Sequence, residues 1–168
     1  DGDGICDAVD PCDGVATGWR LRVVAIKLRK LGARPDDDTL RFETVVPLHT
    51  ETPIDLAATG LRLTMLQDAW TDLVFSVAAP AGAGWRTNDD GRSWSYRSTD
   101  PGTTEITRAI VKEIEPNPAY MVPRSLLVRI DARRGTYGPT SDLDSHYLEL
   151  GFAADGTADV CAQLLFYP

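Results

Sequence analysis

The sequence predicts an all-β protein, and more closely an antiparallel β-sandwich of the jelly-roll or immunoglobulin-like kind. Short runs rich in Val, Ile, Leu, Thr, Phe and Tyr alternate apolar with polar residues, and clusters of Gly, Pro, Asp and Asn separate these runs. The length of 168 residues suits one ordinary domain. We expect a linker over residues 1–14 and the sandwich over residues 15–168.

The period-two pattern recurs in nine runs along the chain. In the first run Leu21, Val23 and Ala25 share one side, and in the second run Leu40 and Phe42 do so. A strand that alternates in this way buries one face and exposes the other. The runs span residues 19–29, 39–48, 61–67, 72–78, 92–98, 103–115, 125–132, 146–153 and 157–167.

Two of these runs leave alternatives open. Residues 103–115 space Ile106, Ile110 and Ile114 four apart, which suits a helix face and also a strand. The density of β-branched residues favours the strand. The apolar run at residues 162–168 is either the last strand of its own sheet, which we favour, or a strand that completes a neighbour's sheet.

The charge of the chain lies mainly at its N-terminus. The net charge is −8, and five aspartates with no basic residue fall within the first thirteen positions. An acidic chain of this kind predicts no nucleic-acid partner. No apolar run approaches the roughly 18 residues of a membrane span, so we expect no membrane insertion. Of the 17 basic residues 14 are arginines, which we interpret as compositional bias rather than as a binding surface.

The opening stretch DGDGICDAVDPC has the layout of a calcium-binding loop. Calcium takes six to eight oxygen ligands from carboxylates and backbone carbonyls on a tightly turning loop. Gly4 permits the turn, and alternating aspartates aim several carboxylates at one point. The predicted ligands are Asp1, Asp3, the Ile5 carbonyl, Asp7 and Asp10.

The same stretch resembles a thrombospondin type 3 repeat, because its aspartates, glycines and both cysteines fall in register with the repeat pattern over twelve residues. The resemblance implies calcium as a cofactor, disulfides, and an extracellular parent protein with several domains. The disulfide candidates are Cys6, Cys12 and Cys161. Cys161 pairs with Cys6 or Cys12, or Cys6 pairs with Cys12, or one cysteine pairs outside this sequence, or all three stay free.

Residues 19–168 loosely resemble the β-rich units of large bacterial secreted proteins. The segments that carry this resemblance are GLRLTMLQDAW, GWRTNDDGRSWSYRS and CAQLLFYP. The resemblance implies a surface or matrix role without catalytic residues.

The remaining candidate site residues have ordinary structural interpretations that we favour. Trp85, Trp94 and Tyr96 suit the core of a sandwich, with a polysaccharide-binding platform as the alternative. His49 and His146 have no nucleophile motif nearby, so we expect structural histidines. The acidic groups are interpreted as solvated residues rather than as a glycosidase pair (Asp142, Asp144, Glu149) or as a second calcium site (Asp36, Asp37, Asp38 with Asp89, Asp90 or Asp155).

These observations predict a non-catalytic extracellular module. We expect a structural or assembly unit of a surface, matrix or fibre, whose partners are neighbouring domains or identical subunits. The alternative is a carbohydrate-binding module or an adhesin domain of a secreted multidomain protein, with a polysaccharide as the partner. We do not expect an enzyme, because no cluster of groups with tuned pKa values is evident in the sequence.

Overall fold

Eleven β-strands and a four-residue helix form within the described part of the chain. The computed structural model describes residues 19–20, 22–30, 37–48, 54–67, 72–99, 105–120, 122–135, 137, 146–154 and 157–166. The strands are β1 (Trp19–Arg20), β2 (Arg22–Arg29), β3 (Asp38–Leu48), β4 (Leu61–Gln67), β5 (Asp72–Ala79), β6 (Trp85–Thr87), β7 (Ser93–Arg97), β8 (Ile106–Ile114), β9 (Arg124–Gly135), β10 (His146–Ala154) and β11 (Thr157–Phe166). The helix α1 spans Leu56–Thr59, and Pro118–Tyr120 form a 3-10 turn.

The strands form two sheets. The five-stranded sheet has the order β1-β11-β10-β4-β5, and the six-stranded sheet has the order β2-β3-β9-β8-β7-β6. Neighbours in both sheets run antiparallel, except that β1 runs parallel to β11. The predicted all-β antiparallel sandwich is therefore confirmed. The run at 103–115 is a strand, β8, rather than a helix.

One apolar core joins the two sheets. The alternation of apolar and polar residues explains this core, because most residues of one parity in β3 and β9 point inward and most of those between them point outward. Each large apolar side chain that is fully buried contributes about 1.5–3 kcal/mol relative to exposure. The core includes Leu61, Leu63, Met65, Phe75, Val77 and Leu150 from one sheet and Leu40, Phe42, Val46, Leu126, Val128, Ile130 and Val111 from the other.

The first predicted strand differs from the observed structure. Residues 19–29 divide into β1 and β2, which belong to different sheets. In β2 one extra residue lies between Arg22 and Ala25 relative to β3, which is a β-bulge. The bulge reverses the inward parity, so that Ala25 is exposed whereas Ile26 is half-buried. At the bulge the Thr44 hydroxyl donates to the Arg22 carbonyl at 3.1 Å.

Tyr137 closes one end of the core after β9. Its ring contacts Phe75 of the other sheet edge-on, with centroids 5.7 Å apart. The ring also lies over Gly135, where any side chain would overlap it. Burial raises the pKa of the Tyr137 hydroxyl to about 12, with a further contribution from the charge of Asp38. The end of β9 is therefore fixed against the opposite sheet.

No helix in the described ranges has the length and apolar character needed to span a lipid bilayer.

Candidate functional site

The residues predicted to bind calcium lie outside the described part of the chain. These are Asp1, Asp3, Ile5, Asp7 and Asp10, and Cys6 and Cys12 lie there with them. Cys161 lies in β11, where its backbone is paired with Gly151 of β10. The calcium loop and the disulfides therefore stay predictions.

The three aromatic residues of the suggested ligand platform are buried. Trp85, Trp94 and Tyr96 are 6%, 2% and 5% exposed. The rings of Trp85 and Tyr96 lie 5.2 Å apart, and the Trp85 indole N–H donates to the Pro80 carbonyl at 2.9 Å. Because the rings pack in the core, none offers a face on which a sugar could stack. The structure therefore does not support the alternative in which these three residues form a ligand-binding platform.

The suggested second calcium site is not assembled among the described residues. Asp38 is 2% exposed rather than solvated, because its carboxylate accepts the Tyr137 backbone N–H at 2.9 Å. Asp37 lies 3.9 Å from the Lys30 ammonium, and Asp90 accepts the Arg92 backbone N–H. The described ranges contain no group of three or more His, Cys, Asp or Glu side chains that could hold a metal ion.

The other candidate residues add no described site. His146 and Glu149 lie in β10, where Glu149 is paired with Thr64 of β4. Outside the described residues lie Asp36, His49, Asp142, Asp144 and Asp155. Their predicted roles are not tested by the structure.

The outer face of the six-stranded sheet gathers basic residues that are distant in sequence. Residues paired directly across neighbouring strands lie on the same face, so the pairing forms rows. These rows are Lys27–Arg41–Asp131–Arg108–Arg97, Ala25–Glu43–Arg129–Ile110–Ser95–Arg86 and Arg22–Val45–Leu127–Lys112–Ser93. We call this surface the cationic face. Its three rows contain eight cations, all exposed, and two carboxylates.

Each carboxylate of the cationic face is held by an arginine. Arg41 donates to Asp131 at 2.9 Å, and Arg129 donates to both oxygens of Glu43 at 2.9 and 3.3 Å. The two-point contact of Arg129 uses the fork geometry of the guanidinium group. These pairs are exposed and contribute little to stability. They fix the positions of two arginines on the face.

A groove of about 270 Å³ runs between these ion pairs. Arg108 lines it opposite Arg41 and Arg129, and Ile110 supplies an apolar wall. Arg108 is exposed and forms no ion pair with any residue that the structure describes. Within the same described ranges, Lys27, Arg86, Arg97 and Lys112 also form none.

An ordered ion-pair cluster lies at the end of β8 on the inner side of the same sheet, since Glu113 is paired with the buried Leu126. Glu113 accepts from Arg124 at 2.9 Å and from Arg92 at 3.2 Å. The hydrogen bond from Arg124 is the main cause that lowers the pKa of Glu113 from its ordinary value of 4.5. The cluster ties the loop before β7 and the start of β9 to β8.

This arrangement is suited to binding anions. The guanidinium groups of Arg97 and Arg108, which form no ion pair with any described residue, can each donate two parallel hydrogen bonds to a carboxylate, sulfate or phosphate. The sequence does not predict this face, since the excess of arginines over lysines is interpreted as compositional bias. The signal that was present is the alternation of basic and apolar residues within each strand, as in Lys27–Leu28 and Arg129–Ile130.

Comparison of the chain with protein-family models, with curated proteins and with solved structures gives no significant match.

Proposed function

We propose that this chain is a non-catalytic structural or assembly module of an extracellular surface, matrix or fibre, and that it binds anionic partner groups through the cationic face. The observation that carries the proposal is that Arg108 and its neighbours Lys27, Arg86, Arg97 and Lys112 form no ion pair with any described residue, in a chain of net charge −8. Folding does not require like charges on neighbouring strands, because they repel one another across the sheet. An excess of one charge at such positions indicates an oppositely charged partner.

The N-terminal segment completes the proposed module as a calcium-stabilised linker. Its support is the aspartate and glycine pattern of residues 1–10, because rigid coordination would remove conformational freedom from the junction. We expect about 1 mM calcium, a concentration typical of extracellular sites, to raise the melting temperature of the full chain. Differential scanning calorimetry with calcium or with magnesium alone measures this. An identical melting temperature in both would contradict the calcium linker.

The direct test of the cationic face uses heparin-agarose as a general polyanion probe. We expect the full chain to bind at low ionic strength and to elute with salt, since screening weakens exposed charge contacts. Arg108→Gln should elute at clearly lower salt, and Arg97→Gln combined with Arg108→Gln at lower salt still. Because both side chains are exposed, the free energy of unfolding should change by no more than about 0.5 kcal/mol.

The matched control is Arg62→Gln. Arg62 is an exposed arginine of β4 in the opposite sheet, and its substitution removes the same charge as Arg108→Gln. We expect its elution to equal that of the unchanged chain. Equal shifts for Arg62→Gln and Arg108→Gln would show that retention follows net charge alone, which contradicts the proposal.

The second candidate function is a carbohydrate-binding or adhesin domain. The cationic face favours an acidic polysaccharide over a neutral one, because the aromatic rings needed for stacking on neutral sugars are buried at positions 85, 94 and 96. Retention on immobilised alginate, but not on agarose or cellulose, would support this second candidate. It would share the dependence on Arg108.

A further inference from the structure

The charge of the cationic face is distributed unevenly over the sheet. In β3 and β9 the rows contain two arginines and two carboxylates, which form the ion pairs Arg41–Asp131 and Arg129–Glu43. In β6, β7 and β8 the rows contain four cations and no carboxylate among the residues that the structure describes. We call these cations the four-cation patch, which consists of Arg86, Arg97, Arg108 and Lys112.

Two cations of the patch lie directly opposite each other. Arg97 of β7 is paired with Arg108 of β8, which places their Cβ atoms roughly 4.5–5.5 Å apart. Both side chains are exposed, and neither forms an ion pair with a residue that the structure describes. Like charges in directly opposite positions destabilise a sheet. One oxyanion between the two guanidinium groups would remove this repulsion and accept hydrogen bonds from both.

The other two cations extend the patch in two directions. Arg86 of β6 lies two strands from Arg108, which corresponds to roughly 10 Å at the usual strand spacing. Lys112 follows Arg108 by four residues on the same strand, which corresponds to roughly 14 Å. Ser95 is exposed between Arg86 and Ile110 and adds a hydroxyl group to the patch. The patch is therefore larger than one anionic group and suits a ligand that carries several.

The composition of the patch indicates which kind of polyanion it fits. A protein partner usually contacts a core of aromatic or large apolar side chains, and unpaired nucleic-acid bases stack on exposed aromatic rings. In β6 and β7 the aromatic residues Trp85, Trp94 and Tyr96 are buried in the core. Within the described rows of β6, β7 and β8, Ile110 is the only apolar residue, and it is half-buried. Cations interspersed with serine hydroxyls are complementary to a polymer that carries both anionic groups and hydroxyl groups, which is an acidic polysaccharide.

We infer that the four-cation patch binds a linear acidic polysaccharide, and that Arg97 and Arg108 together hold one of its carboxylate or sulfate groups. The inference rests on the proposed function and names both the ligand class and the part of the face that binds it. The exposed aspartates of the β6–β7 turn, Asp89 and Asp90, lie beyond the third row and limit the patch at that end. The arginines of β3 and β9 contribute little, because they already pair with carboxylates of the chain.

The experiment is isothermal titration calorimetry of the full chain with alginate oligosaccharides of increasing length, from disaccharide to octasaccharide. A calcium chelator is present, so that calcium does not bridge alginate to the chain. We expect the affinity to rise with oligomer length and to level off once the oligomer covers the patch, because linked anionic groups bind further cations intramolecularly. Dextran sulfate of matched charge shows whether sulfate binds more tightly than carboxylate, and either preference supports the inference.

The decisive variant is Arg97→Gln combined with Arg108→Gln. It should lower the affinity for the longest oligomer by at least about tenfold, because it removes two of the four charge contacts of the patch. Thermal unfolding followed by circular dichroism should be the same as for the unchanged chain, since both side chains are exposed.

The matched control is Lys27→Gln combined with Arg29→Gln. Both residues are exposed in β2 of the same sheet, three strands from β8, and their substitution removes the same charge from the chain. Three strand spacings are roughly 14 Å, which exceeds the screening length of roughly 10 Å at about 0.1 M salt. At that salt concentration we expect the affinity of the control to stay within about twofold of the unchanged chain.

Four outcomes would overturn the inference. Equal losses of affinity in the two double variants would show that the whole face attracts polyanions without a defined patch. Affinity that does not depend on oligomer length would restrict the site to a single anion. Duplex DNA of matched charge that binds as tightly as the polysaccharides would show no preference for a polysaccharide, and the absence of binding to both polysaccharides would exclude the ligand class. Each outcome is compatible with heparin retention that depends on Arg108, whereas failure of the proposed function removes that dependence, so the two failures are distinguishable.

Discussion

The two faces of the six-stranded sheet share their strands and their backbone pairing but differ completely in composition. On the inner face, Phe42, Ile130 and Val111 are buried in the core. On the outer face the neighbouring positions are Arg41, Asp131 and Ile110. The inner residues are determined by the need to remove apolar surface from water. The outer residues have no such constraint, so their charge is informative about partners.

The strongest way to sharpen this comparison is to truncate the same residue on each face. Ile130→Ala on the inner face should reduce the free energy of unfolding by about 2–5 kcal/mol, because it leaves a cavity in a closed core. Ile110→Ala on the outer face, where the side chain is half-buried beside the groove, should cost less than about 1.5 kcal/mol. Urea unfolding of both variants measures the difference.

Equal losses would break the comparison. They would mean that the outer face is covered as thoroughly as the inner one, and the cationic face would then be part of the fold rather than a free surface.

A smaller effect is expected at the inner rim of the sheet, where Glu113 forms ion pairs with Arg124 and Arg92. The pKa of Glu113 is lowered in the folded state, chiefly by its hydrogen bond from Arg124. Its stabilising contribution is therefore fully present above the ordinary value near 4.5 and is lost as the pH falls through the lowered value. Glu113→Gln should cost about 1–2 kcal/mol at pH 7, and this cost should shrink towards pH 3.

The measurement is urea unfolding of this variant at both pH values, with Glu115→Gln as the control. Glu115 is exposed and follows the end of β8, so its substitution should have little effect at either pH. A cost of Glu113→Gln that does not change between pH 7 and pH 3 would show that packing, rather than charge, stabilises this cluster.

The sequence predicted the inner face well and the outer face not at all. Leu40 and Phe42 of β3 are buried as their alternation indicated, because inward parity is a local property of one strand. The cationic face depends on strand order, since Lys27 and Arg41 meet through the pairing of β2 with β3, and Arg41 comes near Arg108 only through Asp131 of β9. No local pattern states that order.

Two sequence-based predictions that the structure contradicts fail for the same reason. The sequence predicts a solvated Asp38, yet the residue is buried. Its carboxylate accepts a hydrogen bond from the backbone N–H of Tyr137, which lies 99 positions further along the chain. The prediction of which β2 residues face inward is wrong, because β2 contains a bulge. The extra residue of this bulge is defined only by the pairing of β2 with β3. In both cases the decisive interaction joins segments that are distant in sequence.

The central position of β9 has a consequence for the order in which the molecule folds. β3 pairs along its whole length with β9, and β4 pairs with β10, so both sheets join an early strand of the chain to a late one. The six-stranded sheet cannot be completed before residue 135 is available, and the five-stranded sheet cannot be completed before residue 166 is available. Such a high contact order predicts folding on a timescale of about milliseconds to seconds. The chain can therefore complete its two sheets only after most of it has been synthesised.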